Sequence, residues 1–242
     1  MTTNNNYKQV QNQLCTLKLN GITNTLDSII EKSEKKAVSH LCFLKNLLSQ
    51  EVSHRNDNRL KRNLAGAHFP TIKCLKDFHF KTIEGFTSTD SANLRDLRWL
   101  DNYENLLFLG PPGIGKTHLA ISCGMLAVEA GYTVSFERAV NLFKLLKTSE
   151  LQRKSEFRIK KIMKSNLIII DEIGYTPIER REANLFFNLI SEIFEKSSII
   201  ITSNKGFGDW AEMMGDEIMT TALLDRLLHN AKVFNMNGDT GR

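Results

Sequence analysis

Apolar positions recur at helical intervals over the first quarter of the chain. Between residues 8 and 67, Leu14, Leu17, Ile22, Leu26, Ile29 and Ile30 form one stripe, and Leu41, Leu44, Leu47 and Leu48 form a second. The segment has no proline and only Gly21 and Gly66, so helices are expected throughout, weakest around Gly21. Phe69 and Pro70 end the helical run, because the residue before a proline is driven out of the helical region. Residues 71–105 alternate short apolar pieces with polar turns. They read as a linker and the approach to a core, with a helix from about Asn93 to Leu100. From residue 106 the pattern changes to strand, loop, helix. Leu106–Leu109, Thr133–Phe136, Leu167–Ile170 and Ser198–Thr202 are short apolar runs. Thr117–Glu129, Val140–Lys147, Leu151–Lys164 and Arg181–Glu195 carry helical spacing. Unbroken apolar strands between helices predict a parallel sheet covered on both faces. The expected organisation is an all-helical domain over residues 1–70, a linker over 71–105 and an α/β core over 106–242.

Composition narrows this picture. The chain is 41% hydrophobic and 24% charged, enough apolar content to bury a core, which excludes general disorder. No run approaches the ~18 apolar residues of a membrane span. The polar N-terminus lacks a signal-peptide apolar region, so the cytoplasm is the expected compartment and no membrane partner is expected. Cys15, Cys42, Cys74 and Cys123 lie far apart, a spacing that suits neither a zinc site nor a disulfide scaffold. Charge is uneven: residues 1–99 hold 15 Lys and Arg against 9 Asp and Glu, whereas residues 100–242 hold 17 against 18. The net charge of +5 thus originates in the first two-fifths. Arg55, Arg59 and Arg62 share one helix face, near His54 and Lys61. Such a face suits the phosphates of a nucleic acid; the alternative is a solvated surface pairing with Glu51 and Asp57.

Candidate chemistry concentrates after residue 109. Gly110, Pro111, Pro112, Gly113, Ile114, Gly115, Lys116 and Thr117 fit the P-loop pattern in full, after a predicted strand and ahead of a predicted helix. In that context the glycines let backbone N–H groups curl around phosphate oxygens. Lys116 would reach the β- and γ-phosphates and Thr117 would hold Mg²⁺. His118 follows within the same nucleotide-binding stretch and reads as structural rather than catalytic. The strand Leu167–Ile170 ends in Asp171 and Glu172. This is a Walker B arrangement in which Asp171 fixes Mg²⁺ and Glu172 polarises the attacking water. Ser198–Thr202 leads to Asn204, either a group that orients water near the γ-phosphate or a plain turn residue. Asn204-Lys205 begins like a guanine-reading motif, but position 207 is Phe, which favours ATP over GTP. Arg226 lies in an apolar helical setting. It is either an arginine finger supplied to a neighbouring copy or the partner of Asp225 or another acid.

These blocks, in this order, resemble AAA+ ATPases of the initiator and helicase-loader branch, and more closely the IstB-type transposition helper ATPases. The resemblance rests on residues 115–120, 170–175, 202–204 and 224–229, on Phe207 with Trp210, and on N-terminal features. These are residues 19–22, Glu51 with Arg55, residues 59–69, and Phe78 with Phe80. It spans about residues 14 to 238. It implies a P-loop core of AAA+ type behind a small helical domain, and ATP and Mg²⁺ at the site. It also implies a protein that assembles on duplex DNA as a homo-oligomer, hydrolyses ATP under DNA stimulation and serves the transposase of the same mobile element. Asn204 then corresponds to the sensor-1 residue and Arg226 to an arginine finger acting in trans. Arg242 matches a sensor-2-like position.

Two departures accompany the resemblance. Ile193, Phe194 and Glu195 replace a family pattern with Arg-Tyr before the glutamate. The chain also ends with Gly241 and Arg242, where the family has Tyr-Arg and further residues. A replicative helicase loader shares the core chemistry and is the nearest alternative. An ATP-gated DNA-binding module without useful turnover, as in a decayed copy, is another. A small-molecule kinase would need a lid arginine cluster that the sequence does not present.

Overall fold

The structure is a computed structural model that describes residues 2–78, 83–84, 86–175 and 178–238. The chain divides into two compact units, Met1–Arg62 and Asn63–Arg242. The division lies within a helix, upstream of the boundary expected at residue 70. Its physical reason is local. Asn63 donates through Nδ2 to the carbonyls of Gly131 and Tyr132, both at 3.0 Å, and Leu64 packs on the core of the second unit.

The first unit is built from α1 (Thr2–Thr16), α2 (Asn20–Lys36) and the beginning of α3 (His40–Ala67). Ile22, Leu26 and Ile29 make its buried seam. Gly21, expected to weaken a helix, instead permits a close crossing. A Cβ there would lie 2.7 Å from His54 Cβ and 2.8 Å from the Gln50 carbonyl oxygen. The first turn of α2 therefore sits directly on α3, and Glu51 closes it. Glu51 Oε2 accepts the N–H groups of Gly21 at 2.8 Å and Ile22 at 3.2 Å, while Oε1 accepts from Arg55 Nε at 2.7 Å. The carboxylate thus does the work of an absent N-cap side chain. The second apolar stripe does not join a core: Leu41, Leu44 and Leu48 are exposed. A unit of this size has one seam to bury them in, and α2 already fills it.

The second unit holds a five-stranded sheet. Its strands are β2 (Asn105–Leu109), β3 (Val134–Arg138), β4 (Leu167–Ile173), β5 (Ser198–Ser203) and β6 (Ala231–Asn235). They lie in the order β3-β4-β5-β2-β6, and all four neighbouring pairs are parallel. Leu106, Phe108, Ile169 and Ile200 pack on one face, with α6 (Lys116–Glu129); Leu107, Ile168, Ile170, Ile199 and Ile201 pack on the other. That second face is covered by α7 (Ala139–Thr148), α8 (Arg153–Met163), α9 (Arg180–Ile193) and α11 (Glu217–Leu228), with the short α10 (Trp210–Met214) beside them. After β2 the chain crosses to the far edge of the sheet and returns strand by strand to β5. The β2–β5 boundary is therefore the topological switch point, the place where such sheets bind ligands.

Several expectations are revised. The helix expected from Asn93 to Leu100 is two helices, α4 (Ser88–Asp96) and α5 (Arg98–Asp101), broken at Leu97, whose φ is +59°. Thr87 and Asp90 form a capping box that starts α4 earlier than apolar spacing indicates. Residues 71–105 are more than a linker: Leu75, Leu94, Trp99 and Leu100 are buried in the sheet's core. The strand β6 was not anticipated, nor was the two-stranded antiparallel pairing of β1 (Ile83–Glu84) with β7 (Asn237–Gly238). Cys123 is buried, which pushes its thiol up to about 12, whereas Cys15, Cys42 and Cys74 are exposed free thiols. Among the described residues no helix is long and apolar enough to cross a membrane.

The Glu51 contact carries a pH dependence. The Arg55 hydrogen bond, helped by the two backbone N–H groups, holds the Glu51 carboxyl below its ordinary range against the opposing effect of burial. Its contribution is fully present above the unfolded value near 4.3 and is lost as pH falls through the lower folded value. Glu51→Gln is expected to lower the thermal midpoint of the helical unit at pH 7. The gap between the two proteins should close as the buffer is taken below pH 4 in circular-dichroism melts.

Candidate functional site

The loop between β2 and α6 is shaped by glycine. Gly110, Gly113 and Gly115 have φ of +151°, +85° and +97°, a region that L side chains rarely adopt. A Cβ on Gly110 would fall 2.1 Å from the Met236 carbonyl oxygen, and one on Gly115 would fall 2.7 Å from the Phe78 ring. The result is a tight turn that opens α6 and leaves its first N–H groups facing the loop.

Lys116 is buried, and its Nζ donates to the carbonyls of Gly110 and Pro111, both at 2.7 Å. Burial draws its pKa down, and the carboxylates of Asp171 and Glu172 oppose that. Thr117 Oγ1 donates to Asp171 Oδ1 at 2.7 Å. Thr202 Oγ1, from the end of β5, donates to the same oxygen at 2.7 Å and accepts the Glu172 N–H at 2.9 Å. Glu172 has φ +65°, and the β4–β5 register shifts between Ile170 and Ile173. A glutamate in left-handed backbone is held there at a cost of ~1–3 kcal/mol, a feature that clusters at functional sites. Its carboxylate is half-buried, with Oε2 3.9 Å from Arg138 Nε. Asn204 follows β5; its Oδ1 is buried without a hydrogen-bond partner. Tyr175 is near enough to both acids that they reinforce the upward shift burial gives its phenol.

Lys116, Thr117, Asp171, Glu172 and Asn204 therefore gather at the C-terminal ends of β2, β4 and β5. Pro111, Pro112 and Ile114 complete the loop between them. His118 Nε2 is 3.3 Å from the Cys74 carbonyl, and its ring stands edge-on to Phe78 with centroids 5.3 Å apart. Arg226 is not part of this group. It stands over the Phe187 ring at 4.6 Å, donates to the Ala222 carbonyl at 3.1 Å, and lines a cavity of about 530 Å³. Asn105, Ser197 and Ile199 also line that cavity, so it lies at the strand starts. Five strand residues span about 17 Å, beyond the reach of one arginine side chain. Arg242 lies outside the described residues.

Sequence reasoning placed Thr202 and Tyr175 within the blocks that carry the family resemblance but gave them no role at the site, and it did not single out Arg138. Thr202 had a signal, a hydroxyl ending an otherwise apolar strand. The Arg138 contact had none, because strand pairing alone makes it. Hydroxyl and carboxylate oxygens at Thr117 and Asp171 are the hard donors Mg²⁺ prefers. Among the described residues no cluster of three or more His, Cys, Asp or Glu could hold a metal by itself.

Strand order, switch-point loop and acidic strand end together define a P-loop fold of AAA+ type. Solved structures share it: DnaI (TM-score 0.56, 18% identity, covering 70% of this chain and 90% of that one) and the DnaC helicase loader (0.54, 18%, 73% and 99%). At these identities the likeness is one of fold.

The profile of the IstB-like ATP binding proteins matches residues 12–242, and the chain belongs to that family. It is 39% identical to the Pseudomonas aeruginosa protein named "Insertion sequence IS21 putative ATP-binding protein", over 95% of this chain and 86% of the relative. The counterpart from insertion sequence IS5376 of Geobacillus stearothermophilus is 36% identical, over 89% and 86%.

Thr202→Val keeps the side chain's shape but removes the hydroxyl that serves both Asp171 and Glu172. A loss of about 1–3 kcal/mol in unfolding free energy is expected from the stranded polar groups. Denaturant titration of the full chain measures it.

Proposed function

We propose that this chain is a DNA-stimulated ATPase that assembles on duplex DNA and assists the transposase of the mobile element encoding it. The observation that carries the reading is the split of catalytic groups between opposite ends of the sheet. Lys116, Thr117, Asp171, Glu172 and Asn204 lie at one end, and Arg226 lies at the other. A complete site then needs two copies, with Arg226 of one facing the P-loop of the next. That arrangement makes hydrolysis depend on assembly.

Each side chain has a role that its surroundings support. The loop N–H groups and Lys116 bind the phosphates of ATP. Thr117 and Asp171 would hold Mg²⁺, which neutralises phosphate charge when bound. Glu172, placed by its left-handed backbone, takes a proton from the attacking water. The unpartnered Asn204 Oδ1 is available to orient that water. Arg226 in trans counters charge developing on the transferred phosphoryl group, an effect worth ~10³–10⁵ in rate.

In the helical unit, Lys18, Arg55, Arg59, Lys61 and Arg62 line one groove and supply a phosphate-facing surface. Arg55 is tied to Glu51, so Arg59, Lys61 and Arg62 are the principal contacts proposed there. The insertion-sequence relatives, similar over most of their length, support a mobile-element role over a replicative loader, since the likeness to loaders is one of fold.

Purified protein should hydrolyse ATP faster with nonspecific duplex DNA. Glu172→Gln should keep ATP and DNA binding while losing ~10²-fold or more of turnover. Unstimulated or unaltered hydrolysis in these assays would overturn the reading. Lys116→Ala and Arg226→Ala should each be inactive alone. Mixed together they should recover part of the activity, because some interfaces then combine an intact loop with an intact arginine. Absence of recovery would place Arg226 outside the site.

A further inference from the structure

We propose that the outer face of α8 is a duplex-DNA contact of the ATPase unit, with Phe157 as an apolar wedge between base pairs. This rests on the DNA reading above and names a surface which that reading does not use. The helix buries Ser155, Ile159 and Ile162, at spacings of four and three residues. Ile159 and Ile162 join the core of the second sheet face. Arg158 pins α8 sideways to β3: its Nε donates to Glu137 Oε1 at 2.7 Å and its Nη2 to Ser135 Oγ at 3.0 Å. The helix is thus a fixed platform.

The opposite face reads Arg153, Phe157, Lys160, Lys161 and Lys164, again at helical spacing, and all five are exposed. Phe157 is 73% exposed. Residues 153–164 hold six basic side chains against one acid, Glu156, which pairs with Lys160. From Arg153 to Lys164 the cations extend over about 16 Å. One DNA strand presents a phosphate about every 3.4 Å of axis, so several phosphates fall within reach.

The setting of Phe157 selects the partner. A lone aromatic ring among cations suits poorly an apolar protein surface, which would have to desolvate the lysines. A lipid surface would find Phe157 as the one strongly exposed apolar side chain of α8, with Leu151 just before the helix, because the isoleucines of α8 are already buried in the core. Nucleic acid supplies both complements: phosphates for the cations, and base planes for a ring that enters a base step. Apolar side chains inserted in this way unstack the step and kink the duplex.

The test uses the full chain and a short duplex with a fluorescent donor and acceptor at its ends. Phe157→Ala should weaken binding several-fold and abolish the protein-induced change in end-to-end distance. Phe157→Leu should retain both, since a wedge needs apolar volume rather than an aromatic face. Replacing Arg153, Lys160 and Lys164 by Gln should flatten the slope of log affinity against log salt by ~2–3, at ~0.9 per phosphate contact. ATP hydrolysis without DNA reports on folding and should stay unchanged in every variant.

If wild-type protein binds no duplex, the DNA reading itself fails. If it binds, and the α8 variants match it in affinity, distance and salt slope, the reading stands and this inference falls. An effect of Phe157→Ala on single-stranded DNA alone overturns the wedge. So does a loss of ATP-driven assembly without DNA, which would make this face a contact between copies.

Discussion

A single buried carboxylate organises the candidate site. Asp171 is 1% exposed, and burying a charge is costly unless hydrogen bonds offset it. The offset comes from two threonine hydroxyls, Thr117 at the head of α6 and Thr202 at the end of β5, both on Oδ1 at 2.7 Å. Side chains from α6 and β5, elements distant in sequence, thus converge on one oxygen at the end of β4. Thr202 extends the constraint by accepting the Glu172 N–H. The strand then bulges, and Glu172 takes its left-handed backbone. The acid proposed to activate water therefore owes its position to the acid proposed to hold the metal.

The sheet separates two kinds of chemistry. At its C-terminal edge the P-loop, the paired acids and Asn204 converge beside the switch point. At its N-terminal edge Asn105 links strands and helix, donating to the Leu227 carbonyl at 3.0 Å and accepting the Ile199 N–H at 2.8 Å. Arg226 lies one residue before Leu227 on that helix and lines the cavity where these elements meet. A rigid sheet keeps the two edges about 17 Å apart. That distance makes the proposed division of the site between neighbouring copies a geometric requirement for Arg226 to act at all.

The helical unit follows a different economy. With one seam of Ile22, Leu26 and Ile29 it has little apolar area to bury, so a polar contact and a missing side chain matter more than in the sheet. Gly21 lets α2 approach α3, and Glu51 caps the helix it receives. The apolar face of Leu41, Leu44 and Leu48 is left outside that seam.

Much of this was legible in the residues. Short β-branched runs such as Leu167–Ile170, set between helical segments, read as strands buried on both faces, and the glycine spacing from 110 to 115 followed by Lys116 and Thr117 fits a phosphate-binding turn. Those are local properties of chain geometry and composition, and they suffice for the parallel sheet and for most of the acidic and P-loop residues. The edge strand β6 was illegible because its residues are mostly half-exposed, so Ala231–Asn235 lacks the apolar run that marks a central strand. Gly21 was misread because a glycine in a helix signals weakness unless the partner helix is known. Thr202, Arg138 and Asn105 acquire meaning from partners 30 to 122 positions away. Residue type and local spacing indicate which side chains are candidates for chemistry and which segments are strand or helix, since both depend on neighbours within a few residues. That Asp171 is shared by two threonines, that Arg226 lies at the far end of the sheet and that Phe157 faces outward follow from the packing of segments distant in sequence, which no local pattern encodes.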